Sequence, residues 1–125
     1  MSNKVMLVED DATMRSLLKT LLEIEKFHVV APDAHVADIL SLIRLEQPQV
    51  VLLDVHLRAP NGDEINSIPL LEELRRDDTL KNVRVLMTSG MPLQDECIKA
   101  GADGFLQKPY MPAELLNMIH KQINP

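Results

Sequence analysis

Four short stretches of this chain end an apolar run on groups able to do chemistry. Glu9, Asp10 and Asp11 follow Lys4–Val8, Asp54 follows Val50–Leu53, Thr88 and Ser89 follow Val83–Met87, and Lys108-Pro109 follows Gly104–Leu106. Carboxylates brought close together repel one another unless a cation lies between them. Hard oxygen donors suit Mg²⁺, which keeps several waters and takes one or two protein carboxylates along with phosphate oxygens. A nearby ammonium would complete a site for a phosphoryl group, whose transfer needs charge stabilisation and in-line positioning more than covalent chemistry. Asp54 carries most weight, because an unpaired carboxylate behind an apolar run is costly to bury and a cation offsets that cost. Taken singly, Thr88 could be a cap for the next segment and Lys108 a surface lysine. Asp11 fits best as the N-cap of the segment after it.

These groups meet only if the chain folds so that the ends of the apolar runs converge. Strand-length apolar runs alternate with longer amphipathic stretches. Lys4–Val8 is followed by Ala12–Glu25, with Met14, Leu17, Leu18 and Leu21 at helical spacing and expected in the core. His28–Ala31 is a weaker strand, and Val36–Glu46 has Val36, Ile39, Leu40 and Ile43 on one helical face. Val50–Leu53 is continuously apolar, as a parallel strand buried on both faces should be. After a long loop, Leu70–Arg76 reads as helix, Val83–Met87 as strand and Leu93–Ala100 as a short helix capped by Gly101. Gly104–Leu106 is a brief strand, and Pro112 opens a last helix that carries Leu115, Leu116, Ile119 and Ile123 towards the core.

Five strand–helix units predict an α/β fold, a single doubly wound five-stranded parallel sheet with helices on both faces. The natural order is the flavodoxin-like 2-1-3-4-5, in which ligands bind beyond the carboxyl ends of the strands, where the first and third meet. With 125 residues the chain reads as one domain over 1–125. A formal net charge of −6 and the lack of a Lys/Arg stripe argue against direct nucleic-acid binding. The lone cysteine, Cys97, fits a reducing, cytoplasmic setting, and the first apolar run is too short for a membrane span or a secretory segment.

The phrases MLVEDD, VVLLDVHL, VLMTSG and GADGFLQKP, in this order, resemble the receiver domains of two-component response regulators, from about Lys4 to Ile123. That resemblance implies a phosphoryl group taken by Asp54 from a phosphohistidine on a sensor histidine kinase or phosphotransfer protein, with Mg²⁺ as cofactor. By the same match Asp10 is the main acidic metal ligand, Glu9 its neighbour acting through water, and His56 the position whose backbone carbonyl binds the metal. Thr88 matches the hydroxyl that bonds the phosphoryl group, Lys108 the lysine that pairs with it, and Phe105 the aromatic switch position. The Lys108-Pro109 bond is often cis in the family. The implied output is a conformational signal to an effector, from a monomer or weak homodimer.

The chain departs from the family pattern between Leu57 and Pro69, where LRAPNGDEINSIP is several residues longer than usual and reads as a polar, turn-rich loop. The segment from Thr88 to Phe105 is slightly short, which trims the fourth helix. Alternatives are a non-phosphorylated interaction module of the same fold, or a haloacid-dehalogenase-type phosphatase, although that chemistry wants an acid where His56 stands. A flavin module would need a hydroxyl-rich phosphate cradle after the first strand, where this chain is acidic.

Overall fold

The computed structural model describes residues 3–33, 36–59 and 61–124, and the side chains of all of these but 36 and 37. Its elements are β1 (Lys4–Val8), α1 (Ala12–Ile24), β2 (His28–Val30), α2 (Val36–Glu46), β3 (Val50–Asp54), β4 (His56–Arg58), β5 (Glu64–Asn66), α3 (Ile68–Arg76), β6 (Arg84–Ser89), α4 (Gln94–Ala100), β7 (Gly104–Gln107) and α5 (Pro112–Ile123). Five strands form one parallel sheet in the order β2-β1-β3-β6-β7, which is the expected doubly wound arrangement.

Strand alternation divides the core into two layers. Met6, Val51, Leu53, Val85 and Met87 pack with Ile39, Ile43, Leu71, Leu74 and Cys97 on the side of α2, α3 and α4. Val5, Leu7, Val50, Leu52 and Leu86 pack with Leu18, Leu22, Leu115 and Ile119 on the side of α1 and α5. Both faces of β3 are therefore covered, and all five of its residues are buried, as its unbroken apolarity requires. On α2 the face predicted from Ile39, Leu40 and Ile43 packs inward, whereas the side chain of Val36 lies outside the described residues.

Two expectations need correction. The stretch after Asp54 is no plain loop: β4 and β5 form an antiparallel hairpin pairing His56 with Asn66, Leu57 with Ile65 and Arg58 with Glu64. Its turn is closed by Ala59 N–H donating to Asp63 O and Gly62 N–H to Ala59 O; Pro60 lies outside the described residues. On α1, Met14 and Leu17 are 40% and 61% exposed, while Leu18 and Leu22 hold the core. The apolar stripe is wider than the buried face, so hydrophobic spacing alone overestimates burial here.

The sheet end away from the acids is tied by one arginine. Arg75, on α3, donates to Gly101 O (2.7 Å), Val83 O (2.6 Å) and Asp103 Oδ2 (2.7 Å), and Asp103 also accepts from Val85 N–H (2.8 Å). Gly101 ends α4 as expected, with φ +112° and the paired bonds Gly101 N–H to Ile98 O and Ala102 N–H to Cys97 O. A Cβ at this position would lie 2.6 Å from Arg75 Cγ, whose guanidinium is pinned by those three carbonyl and carboxylate bonds. Gly101→Ala combines left-handed strain with that clash and is expected to destabilise by about 2 kcal/mol. Gly62→Ala, at φ +89° with open space around it, carries the strain alone. Urea denaturation of the two variants checks this, and an equal loss from both would refute the clash.

Candidate functional site

The site is built where β1, β3 and β7 end. Glu9 and Asp54 are each 8% exposed, so two acidic side chains lie largely buried within a few residues of each other across the sheet. Lys108 resolves that conflict: its Nζ lies 2.9 Å from Asp54 Oδ2 and 3.2 Å from Glu9 Oε1. Burial pushes the Asp54 carboxyl up to about 6, and the hydrogen bond and charge of Lys108 oppose this only in part. Burial pulls the Lys108 ammonium down, but its bonds to Asp54 and Glu9 prevail and leave it raised. The lysine follows β7, is held by its own N–H to Ser89 O (2.8 Å), and precedes a cis bond to Pro109 as expected.

One further oxygen of Glu9 and one of Asp10 are held by backbone N–H groups. Glu9 Oε2 accepts from Asp11 N–H (3.2 Å), and the Glu9 carbonyl accepts from Arg15 (2.9 Å). Asp10 Oδ2 accepts from the backbone N–H of Arg58. Asp11 caps α1 by accepting from Met14 N–H (3.0 Å), the role expected for it. On the main chain at Asp54, Ser67 Oγ donates to Asp54 O (2.6 Å), while Val55 N–H donates to Thr88 O (2.8 Å) and Ser67 N–H to Val55 O (2.7 Å).

A cleft of about 330 Å³ opens over this cluster, lined by the acids, Lys108 and the hairpin residues His56, Leu57, Arg58 and Glu64. Thr88 is buried and registers opposite Asp54 on the neighbouring strand, but it does not line the cleft. Phe105 is half-buried against the α4-side core, also away from the cleft.

The donor set suits a hard cation. Asp10 Oδ1 and Asp54 Oδ1 accept no hydrogen bond among the described residues, whereas both oxygens of Glu9 are taken. Two free carboxylate oxygens are the number Mg²⁺ commonly takes from a protein. Among the described residues no three His, Cys, Asp or Glu side chains are grouped to hold a metal unaided, so waters and backbone oxygen would complete the shell.

Sequence reasoning did not find Ser67 or Arg58. Ser67 precedes an Ile-Pro helix start and looks like a cap, yet its hydroxyl serves Asp54 O rather than α3. Arg58 contributes a main-chain group, which no residue type announces. The alternation of Leu57 and Ile65 around an Asn-Gly turn was the available hairpin signal.

The sequence profile of the response regulator receiver domain matches residues 5–120. The chain belongs to that family. It is 29% identical to the chemotaxis protein CheY of Bacillus subtilis over 127 residues, covering 99% of this chain and 100% of that protein. It is 37% identical to the transcriptional regulatory protein CpxR of Klebsiella pneumoniae over 120 residues, which is 94% of this chain but 47% of that protein. The receiver domain of a Bermanella marisrubri response regulator has the same fold, with a TM-score of 0.86 at 22% identity over 99% of this chain and 100% of that one. So does the receiver domain of the sensor histidine kinase PA1611 of Pseudomonas aeruginosa, with a magnesium ion coordinated in its active site cleft (TM-score 0.82, 20% identity, both chains covered 100%). Receivers are signalling switches, and phosphorylation and Mg²⁺ binding are general features of the family. No helix among the described residues of this receiver is long and apolar enough to cross a membrane.

The raised Asp54 value gives a stability prediction for the metal-free receiver. Between the ordinary value of 3.8 and about 6 the folded state binds the Asp54 proton more tightly than the unfolded state does. Stability from this group therefore falls as pH rises through that window. In EDTA, the melting temperature of wild type minus that of Asp54→Asn should drop between pH 4 and pH 6.5. A flat difference would show that Lys108 already compensates the buried charge.

Proposed function

We propose that this receiver accepts a phosphoryl group on Asp54 from a phosphohistidine in a Mg²⁺-dependent reaction and signals the change to an effector. The observation that carries the reading is the buried Asp54 carboxylate held 2.9 Å from the Lys108 ammonium, with Glu9 and Asp10 beside it. A carboxylate oxygen of Asp54 attacks phosphorus in line, the P–N bond to the donor imidazole breaks, and the electron pair leaves on that nitrogen. Lys108 loses one anionic partner as Asp54 becomes an acyl phosphate and gains the phosphoryl oxygens in its place. Asp10, Asp54, the His56 carbonyl and water-linked Glu9 would hold Mg²⁺, which when bound neutralises charge on the phosphoryl oxygens.

Thr88, beside Asp54 on β6, would turn its hydroxyl to the phosphoryl group, and Phe105 on the neighbouring β7 would repack with it. The donor is a histidine kinase or phosphotransfer protein. An apolar groove formed by Met14, Leu17, Leu21, Pro109, Tyr110 and Pro112 adjoins Lys108 and offers the surface that a histidine-bearing helix would cover. We take residues 1–125 as one receiver acting in the cytoplasm, as a monomer or weak homodimer and without direct contact to nucleic acid.

The reading is tested by intact mass. With Mg²⁺ and acetyl phosphate the receiver should gain about 80 Da, the mass of one phosphoryl group, and Asp54→Asn should gain nothing. Lys108→Ala should lose most of the product, since it removes a charge-assisted contact to the transferred group. Mg²⁺-dependent stabilisation without any adduct would instead favour a non-phosphorylated interaction module.

A further inference from the structure

The hairpin after Asp54 has a ladder whose phase is fixed by its ends. Val55 pairs with Ser67 and Ala59 with Asp63 through backbone hydrogen bonds, so in an antiparallel pair the intervening His56 and Arg58 turn their N–H and C=O groups away from β5. That outward edge faces the acids: Arg58 N–H donates to Asp10 Oδ2, and His56 lines the same cleft. The hairpin is itself anchored. Leu57 is 2% exposed in the α3-side core, the Ser67 hydroxyl and N–H fasten its base, and Asn61 and Asp63 bond each other across the turn at 3.0 Å.

Asp10 is thus fixed through one oxygen from the backbone of an inserted element, and its other oxygen is left for a cation. We infer that the β4–β5 hairpin is a positioning wall of the cation site, orienting Asp10 through the Arg58 main-chain N–H. This inference rests on the Mg²⁺ reading above and adds to it the group that sets the affinity. Outer-shell hydrogen bonds to a ligating carboxylate commonly change metal affinity tenfold or more when lost. Because the donor is main chain, the arginine side chain is dispensable and only the N–H matters.

That distinction makes the test clean. Arg58→Ala removes the side chain and keeps the N–H. Arg58→Pro removes both, at a position whose N–H takes no part in the ladder, where an edge strand tolerates proline. Mg²⁺ affinity is read from the rise in melting temperature across a magnesium titration, and independently from Mn²⁺ paramagnetic resonance. Wild type and Arg58→Ala should bind alike, and Arg58→Pro about tenfold more weakly. Gly62→Val, which strains the φ +89° turn at a residue that does not line the cleft, should weaken binding in the same direction; it decides the matter if Arg58→Pro does not fold in EDTA. Equal affinity in Arg58→Pro and Arg58→Ala overturns the inference while leaving Mg²⁺ binding intact. Tighter binding in Arg58→Pro also overturns it, because the N–H would then be competing with the metal. If wild type binds neither Mg²⁺ nor Mn²⁺, the inference falls together with the function it rests on.

Discussion

The Lys108 ammonium stands between two buried carboxylates, and much of the architecture serves to keep it there. Asp54 and Glu9 sit at the ends of adjacent parallel strands, where two uncompensated anions would be costly to bury. The cation that relieves them comes from β7, which is separated from β3 by β6. A lysine can reach over that intervening strand because β6 ends in the small residues Thr88 and Ser89 and is followed by Gly90, with no bulky side chain in the way. The Lys108 N–H bond to Ser89 O then fixes where the long side chain starts. Sheet order, the small residues at the β6 end and the lysine are one solution to a single electrostatic problem.

The two ends of the sheet are organised by different means. At the acidic end, side chains carry the charge and main-chain N–H groups orient it, from Asp11 for Glu9 and from Arg58 for Asp10. At the opposite end Arg75 pairs with Asp103 and ties α3 to the C-terminal cap of α4 and to the residues flanking β6 and β7. Helix α3 connects the two ends, following Ser67, which bonds Asp54 O, and carrying Arg75 in its last turn. One end is tied by an arginine whose donors reach two carbonyls and a carboxylate, whereas the other retains carboxylate oxygens that accept no hydrogen bond among the described residues. That asymmetry is what distinguishes a functional end from a structural one.

Most of this frame was legible from residue types. Unbroken apolarity marked β3 as doubly covered, Gly101 marked the end of α4, Pro112 the start of α5, and Asp11 the cap of α1. The acids and Lys108 were found because charges at the ends of apolar runs demand a shared explanation. What stayed hidden was work done by main chain or by residues with ordinary alternatives. Arg58 acts through an N–H that every residue but proline possesses, and Ser67 donates sideways from a position that resembles a helix cap. Met14 and Leu17 misled in the opposite sense, because helical spacing records apolarity and not the neighbour that would cover it. The hairpin was missed because its loop composition outweighed the two-residue alternation of its short strands.

The two unanticipated features flank the same cleft from opposite sides. On one side the exposed apolar residues of α1 run into Pro109 and Tyr110 beside Lys108. On the other, the hairpin presents Arg58 and Glu64 on a polar edge. On the proposed function, a phosphoryl donor approaching Asp54 would meet apolar surface by way of α1 and charged, backbone-bonded structure by way of β4. Apolar burial favours the first route, since the second requires desolvating groups already engaged with Asp10 and the turn. The hairpin thus walls one flank of the cleft, and on the proposed reading of Asp54 as acceptor a donor would reach it along α1 and the Lys108-Pro109 bend.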